Sequence, residues 1–388
     1  MASFETNNQY LCSKSRRRKT SVRVELLDLN YTIIDHLEGN IIDGSLTLSN
    51  GNGFSRIAGS LDMTLNKTLS KDYFKINLKH LVRVIMIIKD KTKNISAEYI
   101  IGICLLNSPT ITRGVDGNQK ISIDLNDLFS NYNGDFSGDL ENTVTIEASG
   151  ISGASLSKTI QDIALDSELM GLSIDRIKIE PNDLQILSDI TCEKGGKITD
   201  LLQSLLDLYP GYELFFDRDG ILTYQKIKSY KTDSPIQELI NSSVVISYSP
   251  KNNFTNVRNY IKIWGSSNTD NSDTTTQYSA IAQLTDTNHP LSIPNFGKKV
   301  KVIVNETDQS NQACQSEADF WLSQYTNYAQ TIEISMLPDY RLVPNKVIVI
   351  EYSDKVMNIE NARYLINSVV FGLKSSDLST LSVSKLYT

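Results

Sequence analysis

Short stretches in which apolar and polar residues alternate recur through the first third of this chain. In SVRVELLDL, Val22, Val24 and Leu26 alternate with polar residues, and a period of two residues is the pattern of a half-buried β-strand. Further strand-like runs are NIIDGSLTLSN, FSRIAGSLDMTL, LVRVIMIIKD, EYIIGICLLNS and ISIDLNDL. Turn signals such as Asn50-Gly51 separate them. Short strands at this spacing predict a first β-barrel-like domain at residues 21–150.

A helical pattern follows and predicts an insert domain at residues 151–240. The stretch LSKTIQDIALDSELM has apolar residues near helical spacing. We expect Thr199 to cap a second helix, DLLQSLLDLY, and Pro210-Gly211 to end it, because proline cannot continue a helix. The apolar stripes of the two helices are Ile160, Ile163, Ala164 and Leu169 in the first, and Leu201, Leu202, Leu205 and Leu208 in the second.

The stretch YPGYELFFDRDGILTYQKI, residues 209–227, predicts a β-hairpin directly after the second helix. The hairpin turns at Asp217-Arg218-Asp219-Gly220, where glycine supplies a positive φ. We expect the leucine stripe of the helix to pack on this hairpin. The resulting unit has no nucleophile with a base beside it and no phosphate loop. We therefore predict that this unit has no catalytic role.

Strand-like runs resume after the insert and predict a second β-barrel-like domain at residues 241–388, which makes the fold class α+β, mainly β. Between two of these runs, residues 266–280 contain SSNTDNSDTTTQYS, which we expect to be a polar loop with nothing to bury. One long helix, at about 308–328, is expected to be capped by Thr307. Its buried face comprises Ala313, Cys314, Ala318, Trp321, Leu322 and Tyr325.

The charge balance limits the classes of partner. The 388 residues include 38 Lys and Arg against 45 Asp and Glu, for a formal net charge of −7. An acidic body does not suit the binding of nucleic-acid phosphates, so we expect no sequence-specific nucleic-acid partner. The N-terminal stretch lacks the apolar segment of a secretory signal, and no run of about 18 apolar residues occurs. We therefore expect synthesis in a cytoplasm and no membrane insertion.

Neither the cysteines nor the histidines are spaced as metal ligands. The four cysteines lie about a hundred residues apart, and the three histidines lie near none of them in sequence. These residues are Cys12, Cys104, Cys192 and Cys314, and His36, His80 and His289. We predict buried free thiols, no bound metal and no cofactor.

A search for catalytic motifs finds none. Asp217 and Asp219 imitate a pair of catalytic acids, but two aspartates on one exposed hairpin turn are typical turn formers. The same turn resembles the start of a calcium loop, but Lys228 stands where the loop needs its final glutamate. Gly195-Gly196 lacks the spacing of a phosphate loop. We therefore predict that the chain is not an enzyme.

Residues 1–20 are polar and end in a basic cluster. The cluster comprises Lys14, Arg16, Arg17, Arg18 and Lys19. We expect a flexible arm that is either solvated or ordered against an acidic neighbouring subunit, with Arg16 to Lys19 as candidate interface residues. Nuclear localisation or nucleic-acid contact is a third interpretation, which the acidic body disfavours.

Three stretches occur in an order and spacing that carry a family resemblance over about residues 180–375. They are ITDLLQSLLDLYPGYELFFDRDGILTYQKI, NNFTNVRNYIKIWG, and residues 299–373 with Pro338 and Leu342. They resemble, in turn, a helix and hairpin with a Gly-hydrophobic-Asp-x-x-Gly turn, a polar loop before Val-x-Asn, and a strand–helix–strands unit. The family is that of the baseplate or tail hub proteins of contractile-tailed phages and related prophage or phage-tail-like particles. It often has Asp where Asn345 and Lys346 stand here.

This resemblance implies a structural role in a tail baseplate of a virion, assembled in the host cytoplasm. It implies a homotrimer in which two β-barrel-like domains per chain form a ring of six, leaving a channel for DNA or the tape measure protein. The implied partners are the tail tube or distal tail protein, the central spike, other baseplate proteins and the tape measure protein. The insert would then extend towards the spike or the baseplate wall.

Two other classes of function stay open from the residues. A tail-associated cell-wall hydrolase would have to place its carboxylates in the loops, because we expect no appended domain after Thr388. A receptor- or glycan-binding β-module would present an exposed aromatic platform, and Trp264 and Trp321 are the two tryptophans available.

Overall fold

The fold is mainly β with few helices, which confirms the predicted class. The computed structural model describes residues 18–37, 39–51, 53–65, 81–114, 118–148, 155–186, 188–227, 230, 232–269, 275–305, 310–327 and 330–387. Thirteen of the strands in the described chain form one sheet, and three smaller sheets accompany it.

Seven strands of the first part form an antiparallel sheet. They are β1 (Arg18–Leu27), β2 (Ile33–Leu37), β3 (Gly39–Ser49), β4 (Ile57–Leu65), β5 (Leu81–Asp90), β6 (Ile95–Arg113) and β7 (Gln119–Asn126). Their order is β3-β4-β7-β6-β5-β1-β2. The two outer strands of this order, β2 and β3, are consecutive in the chain, with residue 38 between them. The alternating residues Val24 and Leu26 point into the core, as predicted.

The insert contains two helices and two small sheets. Its elements are β8 (Val144–Ile146), α1 (Leu156–Leu165), β9 (Ile177–Ile179), β10 (Ile190–Cys192), α2 (Ile198–Asp207), β11 (Tyr212–Phe216) and β12 (Leu222–Lys226). The strands β11 and β12 form the predicted hairpin, and β9 adds to β12 in parallel. The leucine stripe of α2 shares one core with the hairpin residues Leu214 and Phe216, as predicted. The same core includes Leu105 and Phe129, so the insert packs on the first sheet.

The helix α2 does not begin as predicted. Thr199 lies inside its first turn, buried, with its backbone N–H bonded to the carbonyl oxygen of Tyr132 at 3.2 Å. The residue before the helix is Lys197, whose backbone N–H donates to the carboxylate of Asp200 at 3.0 Å. A carboxylate in the first turn satisfies one of the free N–H groups at the helix start, so no threonine cap is needed.

The last part of the chain contributes to two sheets. Its elements are β13 (Gln237–Ile240), β14 (Val245–Asn252), β15 (Tyr260–Thr269), β16 (Thr275–Gln283), α3 (Ile293–Phe296), β17 (Val300–Val304), α4 (Asn311–Asn327), β18 (Gln330–Met336), β19 (Val347–Ser353), β20 (Asn358–Gly372) and β21 (Ser379–Lys385). The strands β16-β15-β17 form a separate sheet covered by α4, with Cys314 and Ala318 buried between them. Five of the six residues predicted for the buried face of α4 belong to this core: Cys314 and Ala318 are buried, and Trp321, Leu322 and Tyr325 are half-buried, whereas Ala313 is half-buried outside it. Thr307 lies outside the described residues, and Ser310 accepts the N–H of Ala313 at 3.0 Å.

The predicted polar loop at residues 266–280 is largely strand. The strands β15 and β16 pair as far as Thr269 with Thr275, and only residues 270–274 lie outside the described part. A polar stretch can continue a strand because the ladder is made by backbone groups, and threonine favours extended backbone.

One strand pairing joins the two β-rich parts of the chain. Residues 368–372 of β20 pair antiparallel with residues 45–49 of β3, so the order β14-β18-β21-β20 continues into β3-β4-β7. The main apolar core spans the junction and includes Leu46 and Phe371, both fully buried. The predicted β-domains thus meet edge to edge in one sheet.

Candidate assembly surfaces

The two aspartates of the hairpin turn act as turn formers. One carboxylate oxygen of Asp217 accepts the backbone N–H groups of Asp219 at 2.9 Å and of Ile221 at 3.0 Å. Gly220 has a φ of 72°, as the turn requires. Burial raises the pKa of Asp217, since the turn is half-buried and not exposed as expected.

The turn is half-buried because it is docked onto the rest of the chain. The hydroxyl of Tyr31, in the loop between β1 and β2, donates to the carbonyl oxygen of Gly220 at 3.1 Å. The guanidinium of Arg176 lies 3.7 Å from the centre of the Tyr31 ring. Burial raises the pKa of Tyr31 to about 12, so this hydroxyl remains a donor at neutral pH. Arg218 donates to the carbonyl oxygen of Tyr340 at 3.3 Å, which ties the turn to the last part of the chain as well.

A buried ion pair makes a second joint between the insert and the first sheet. Arg56 donates to the carboxylate of Glu213 at 3.0 Å, and both side chains are only 9% exposed. The other oxygen of Glu213 accepts from Gln225 at 2.7 Å, and Arg56 lies over the ring of Phe215 at 4.7 Å. The insert is therefore held to the sheet by charged and polar contacts as well as by its apolar core.

Replacing Gly220 with alanine is expected to lower the free energy of unfolding by about 2 kcal/mol. The positive φ disfavours any L-residue with a Cβ by roughly 1–2 kcal/mol. A Cβ at this position would also lie 2.7 Å from the Tyr31 ring and would push it out of its contact. Urea unfolding measures the loss.

The matched control is Gly195→Ala. Gly195 has a similar φ of 82°, but a Cβ there would meet no atom within 4 Å. The loss in this control therefore measures only the cost of a positive φ for a residue with a Cβ. We expect the Gly220 variant to lose about 1 kcal/mol more than the control, by analogy with one net hydrogen bond. Equal losses would show that the Tyr31 contact contributes nothing to stability.

The candidate interface residues of the basic arm fall partly in strand β1. Arg18 and Lys19 pair with Asp90 and Lys89 of β5, and Arg16 and Arg17 lie outside the described residues. A cleft of about 600 Å³ opens beside this strand end, lined by Arg18, Lys19, Thr20, Lys91, Thr92 and Ser375. These lining residues include three bases and no acid. The role of the arm in assembly stays a prediction. The cleft forms a basic surface at the described end of the arm.

The cysteines and histidines are not arranged as a metal site in the described part of the chain. No group of three or more His, Cys, Asp or Glu side chains there could hold a metal ion. Cys104 and Cys314 are buried free thiols as predicted, and burial raises the pKa of Cys104. Cys192 is only half-buried, contrary to the prediction, because its short strand β10 pairs with β8 alone. Cys12 and His80 lie outside the described residues.

None of the helices among the described residues is both long enough and apolar enough to cross a membrane.

The two tryptophans differ in their surroundings. The indole N–H of Trp321 donates to Glu317 at 2.9 Å, and its ring packs on the core under α4. Trp264 is 36% exposed, and the ammonium of Lys262 lies 4.1 Å from its ring centre. A glycan platform needs an open aromatic face, and here the cation occupies one face of Trp264.

Two strand edges are candidate assembly surfaces. Among the described residues, β14 pairs only with β18, so it ends the large sheet. The last part of β6, beyond Leu105, pairs only with β7 in the described chain, because β5 begins opposite Leu105. An unpaired edge presents a row of backbone donors and acceptors to which another strand can add.

The chain has the fold of phage tail proteins of known structure. A tail protein from Neisseria meningitidis MC58 matches with a TM-score of 0.60 at 12% identity, over 94% of this chain and 96% of that chain. The 43 kDa tail protein of prophage MuSo2 from Shewanella oneidensis gives 0.59 at 15%, over 94% and 98%. A chain of the Francisella PdpA–VgrG complex gives 0.56 at 13%, over 96% of this chain and 58% of that chain.

No protein-family model and no curated protein matches the sequence. The likeness in structure nevertheless covers both β-rich parts and the insert, since it extends over more than nine-tenths of the chain. The resemblance to tail hub proteins that the three sequence stretches indicated is thus confirmed at the level of the fold.

Proposed function

We propose, from the fold that this chain shares with phage tail proteins, that it is the structural hub of a phage-like tail baseplate. The observation that carries the proposal is the whole-length match to two tail proteins, of which 96% and 98% of the chain is covered. The proposed role is mechanical and not catalytic.

The hub acts as a homotrimeric ring. Each chain contains two β-rich parts joined in one sheet, so three copies provide six such parts. A ring of six similar parts built from three chains matches a sixfold tail tube on one face and a threefold spike on the other. Closed cyclic symmetry is the usual state of soluble oligomers.

The proposed partners follow from this position between tube and spike. They are the tail tube or distal tail protein, the central spike, the other baseplate proteins and the tape measure protein. The channel of the ring passes DNA or the tape measure protein, and the net charge of −7 suits a passage to which DNA does not adhere. The protein is located in the tail baseplate of the particle.

Light scattering of the purified protein over a range of concentrations tests the trimer. We expect a mass three times the 43.4 kDa of the chain, approached at high concentration. Addition of the neighbouring tail proteins should then shift the mass further. A strict monomer that also fails to bind a tail tube or spike protein would contradict the hub.

A further inference from the structure

The two β-rich parts repeat one strand arrangement. In the first part, the strands β4, β5, β6 and β7 lie in the order β4-β7-β6-β5. In the last part, β18, β19, β20 and β21 lie in the order β18-β21-β20-β19. The strand of the large sheet that comes before each set in the chain, β3 or β14, pairs antiparallel with the first strand of the set; the separate sheet of β15, β16 and β17 lies between β14 and β18 in sequence. Thus β3 corresponds to β14, and β6 corresponds to β20.

β-Bulges in the strand pairings show which individual residues of the two parts correspond to each other. Against its neighbour, β3 has a bulge at Ile42, and β14 has one at Ile246. From these bulges, residues 45–49 of β3 correspond to residues 249–253. In the same way, β6 has a bulge at residues 108–109 and β20 has one at residue 367, each followed by four consecutive pairs with the neighbouring strand. Residues 110–113 therefore correspond to 368–371.

The correspondence links the internal joint of the chain to its two free edges. Within the chain, residues 368–372 of β20 pair with residues 45–49 of β3. The corresponding segments are residues 110–114 and 249–253, and the described strands leave both without a partner on that side. The chain therefore forms this strand pairing once internally. It also carries the two segments that could form an equivalent pairing with other copies.

We propose that the end of β6 in one copy of the chain adds to β14 of a second copy. The strands run antiparallel, with the register of the internal joint. The opposed pairs are Thr110 with Asn253, Ile111 with Asn252, Thr112 with Lys251, Arg113 with Pro250, and Gly114 with Ser249. This inference rests on the proposed function and deepens it, because it names the surface through which the copies meet.

The contact is heterologous, because each copy binds one neighbour through the end of β6 and the other neighbour through β14. A head-to-tail contact of this kind closes into a ring or continues as a filament. In a ring of three copies, the pairing within a chain and the pairing between chains alternate. Six similar β-rich parts then surround the ring.

The burial of the corresponding segments agrees with this assignment. Leu46, Leu48, Val369 and Phe371 are buried at the internal joint. Residues 249–252 are all exposed, and of residues 110–114 only Ile111 is half-buried. The free edges are also more polar than the internal joint, as befits segments that are in water before assembly. Pro250 has no N–H, which removes at most one backbone hydrogen bond and hinders unspecific pairing.

A disulfide between Thr112→Cys and Lys251→Cys tests the register. Directly opposed residues of an antiparallel pair have Cα atoms about 4.5–5.5 Å apart, within reach of a disulfide. Both positions are exposed, so we expect the variant to fold, which circular dichroism verifies. Under mild oxidation, at the concentration where light scattering gives the trimer, we expect denaturing gels without reductant to show chains linked up to three.

Mixing the two single variants tests the head-to-tail direction. A mixture of Thr112→Cys with Lys251→Cys should give linked pairs and nothing larger, because each chain then carries one half of the bridge. The double variant Thr110→Cys with Ser249→Cys is the control, because its two positions lie four residues out of register, about 13 Å apart. We expect no link from it.

The outcomes separate this inference from the proposed function. Trimers in solution without the Thr112–Lys251 link, or with equal linking in the control, overturn the strand pairing and leave the hub standing. Monomers without any link overturn the pairing and count against the trimer as well. Linked pairs from one single variant alone would show a symmetric contact, and would also overturn the head-to-tail pairing.

Discussion

Replacing Arg341 with methionine is expected to lower the free energy of unfolding by about 3–5 kcal/mol. The side chains of Arg341 and Asp339 are 5% and 2% exposed, and their closest atoms lie 2.6 Å apart. A second bond, from the Nε of Arg341 to the other carboxylate oxygen, measures 2.9 Å. Arg341 also donates to Gln237 at 2.8 Å, which links the segment to β13. The variant would leave the Asp339 carboxylate buried without its cation, and that loss dominates the expected effect.

An exposed ion pair provides the matched control. Lys158 and Asp162 are four residues apart on α1, and both side chains are 55% exposed. We expect Lys158→Met to change the unfolding free energy by less than about 0.5 kcal/mol, because water screens such a pair. The double variant Asp339→Leu with Arg341→Met removes both charges and should recover at least half of the loss. Urea unfolding measures all three, and a loss below 1 kcal/mol for Arg341→Met would show that Asp339 is solvated.

Replacing Asp127 with alanine is the second change with a large expected effect, a loss of about 3 kcal/mol or more. The Asp127 side chain is 1% exposed, and its carboxylate accepts three backbone N–H groups. The donors are Arg56 at 2.9 Å, Ile57 at 3.0 Å and Phe129 at 2.8 Å. Alanine would leave all three donors buried without an acceptor, at the start of β4 and of the short 3-10 helix Leu128–Asn131 that follows β7. Asp127→Asn keeps one carbonyl oxygen, so we expect it to lose clearly less than alanine.

The same residue gives a pH dependence with a defined sign. Burial raises the pKa of Asp127 to about 6, more than its three N–H donors and Arg56 lower it. An unfolded aspartic acid has a pKa near 3.9, so the folded state binds this proton more tightly than the unfolded state. The stability that comes from the tighter binding of this proton is therefore fully present below about pH 4 and is lost as the pH rises through about 6, while the three N–H bonds to the carboxylate remain. Asp127→Asn abolishes this contribution.

The measurement compares the two proteins at several pH values between 4 and 7 by urea unfolding. The unfolding free energy of the wild type minus that of Asp127→Asn should decrease as the pH rises. Other titrating groups cancel in this difference, since the two proteins share them. A difference that is independent of pH would show that Asp127 has an ordinary pKa.

Local periodicity determined most of the elements from the sequence. The alternation in SVRVELLDL predicted β1, and the leucine stripe predicted the buried face of α2, because side-chain direction repeats every two residues in a strand and every 3.6 in a helix. The turn at Gly220 was predictable for the same local reason, since four residues suffice to define it. Where the local pattern had two readings, as in the cap of α2 and the polar stretch of β15 and β16, the prediction was wrong.

The tertiary structure alone decided how these elements meet. Nothing in the periodicity of β3 and β20 shows that residues 45–49 pair with residues 368–372, because backbone hydrogen bonds between strands do not depend on which side chains the strands carry. The docking of the Gly220 turn onto Tyr31 likewise joins segments 189 residues apart. Sequence patterns specify which face of an element is apolar, but the partner of that face depends on the packing of the whole chain. The free edges of β6 and β14, and with them the proposed assembly, are visible only once that packing is known.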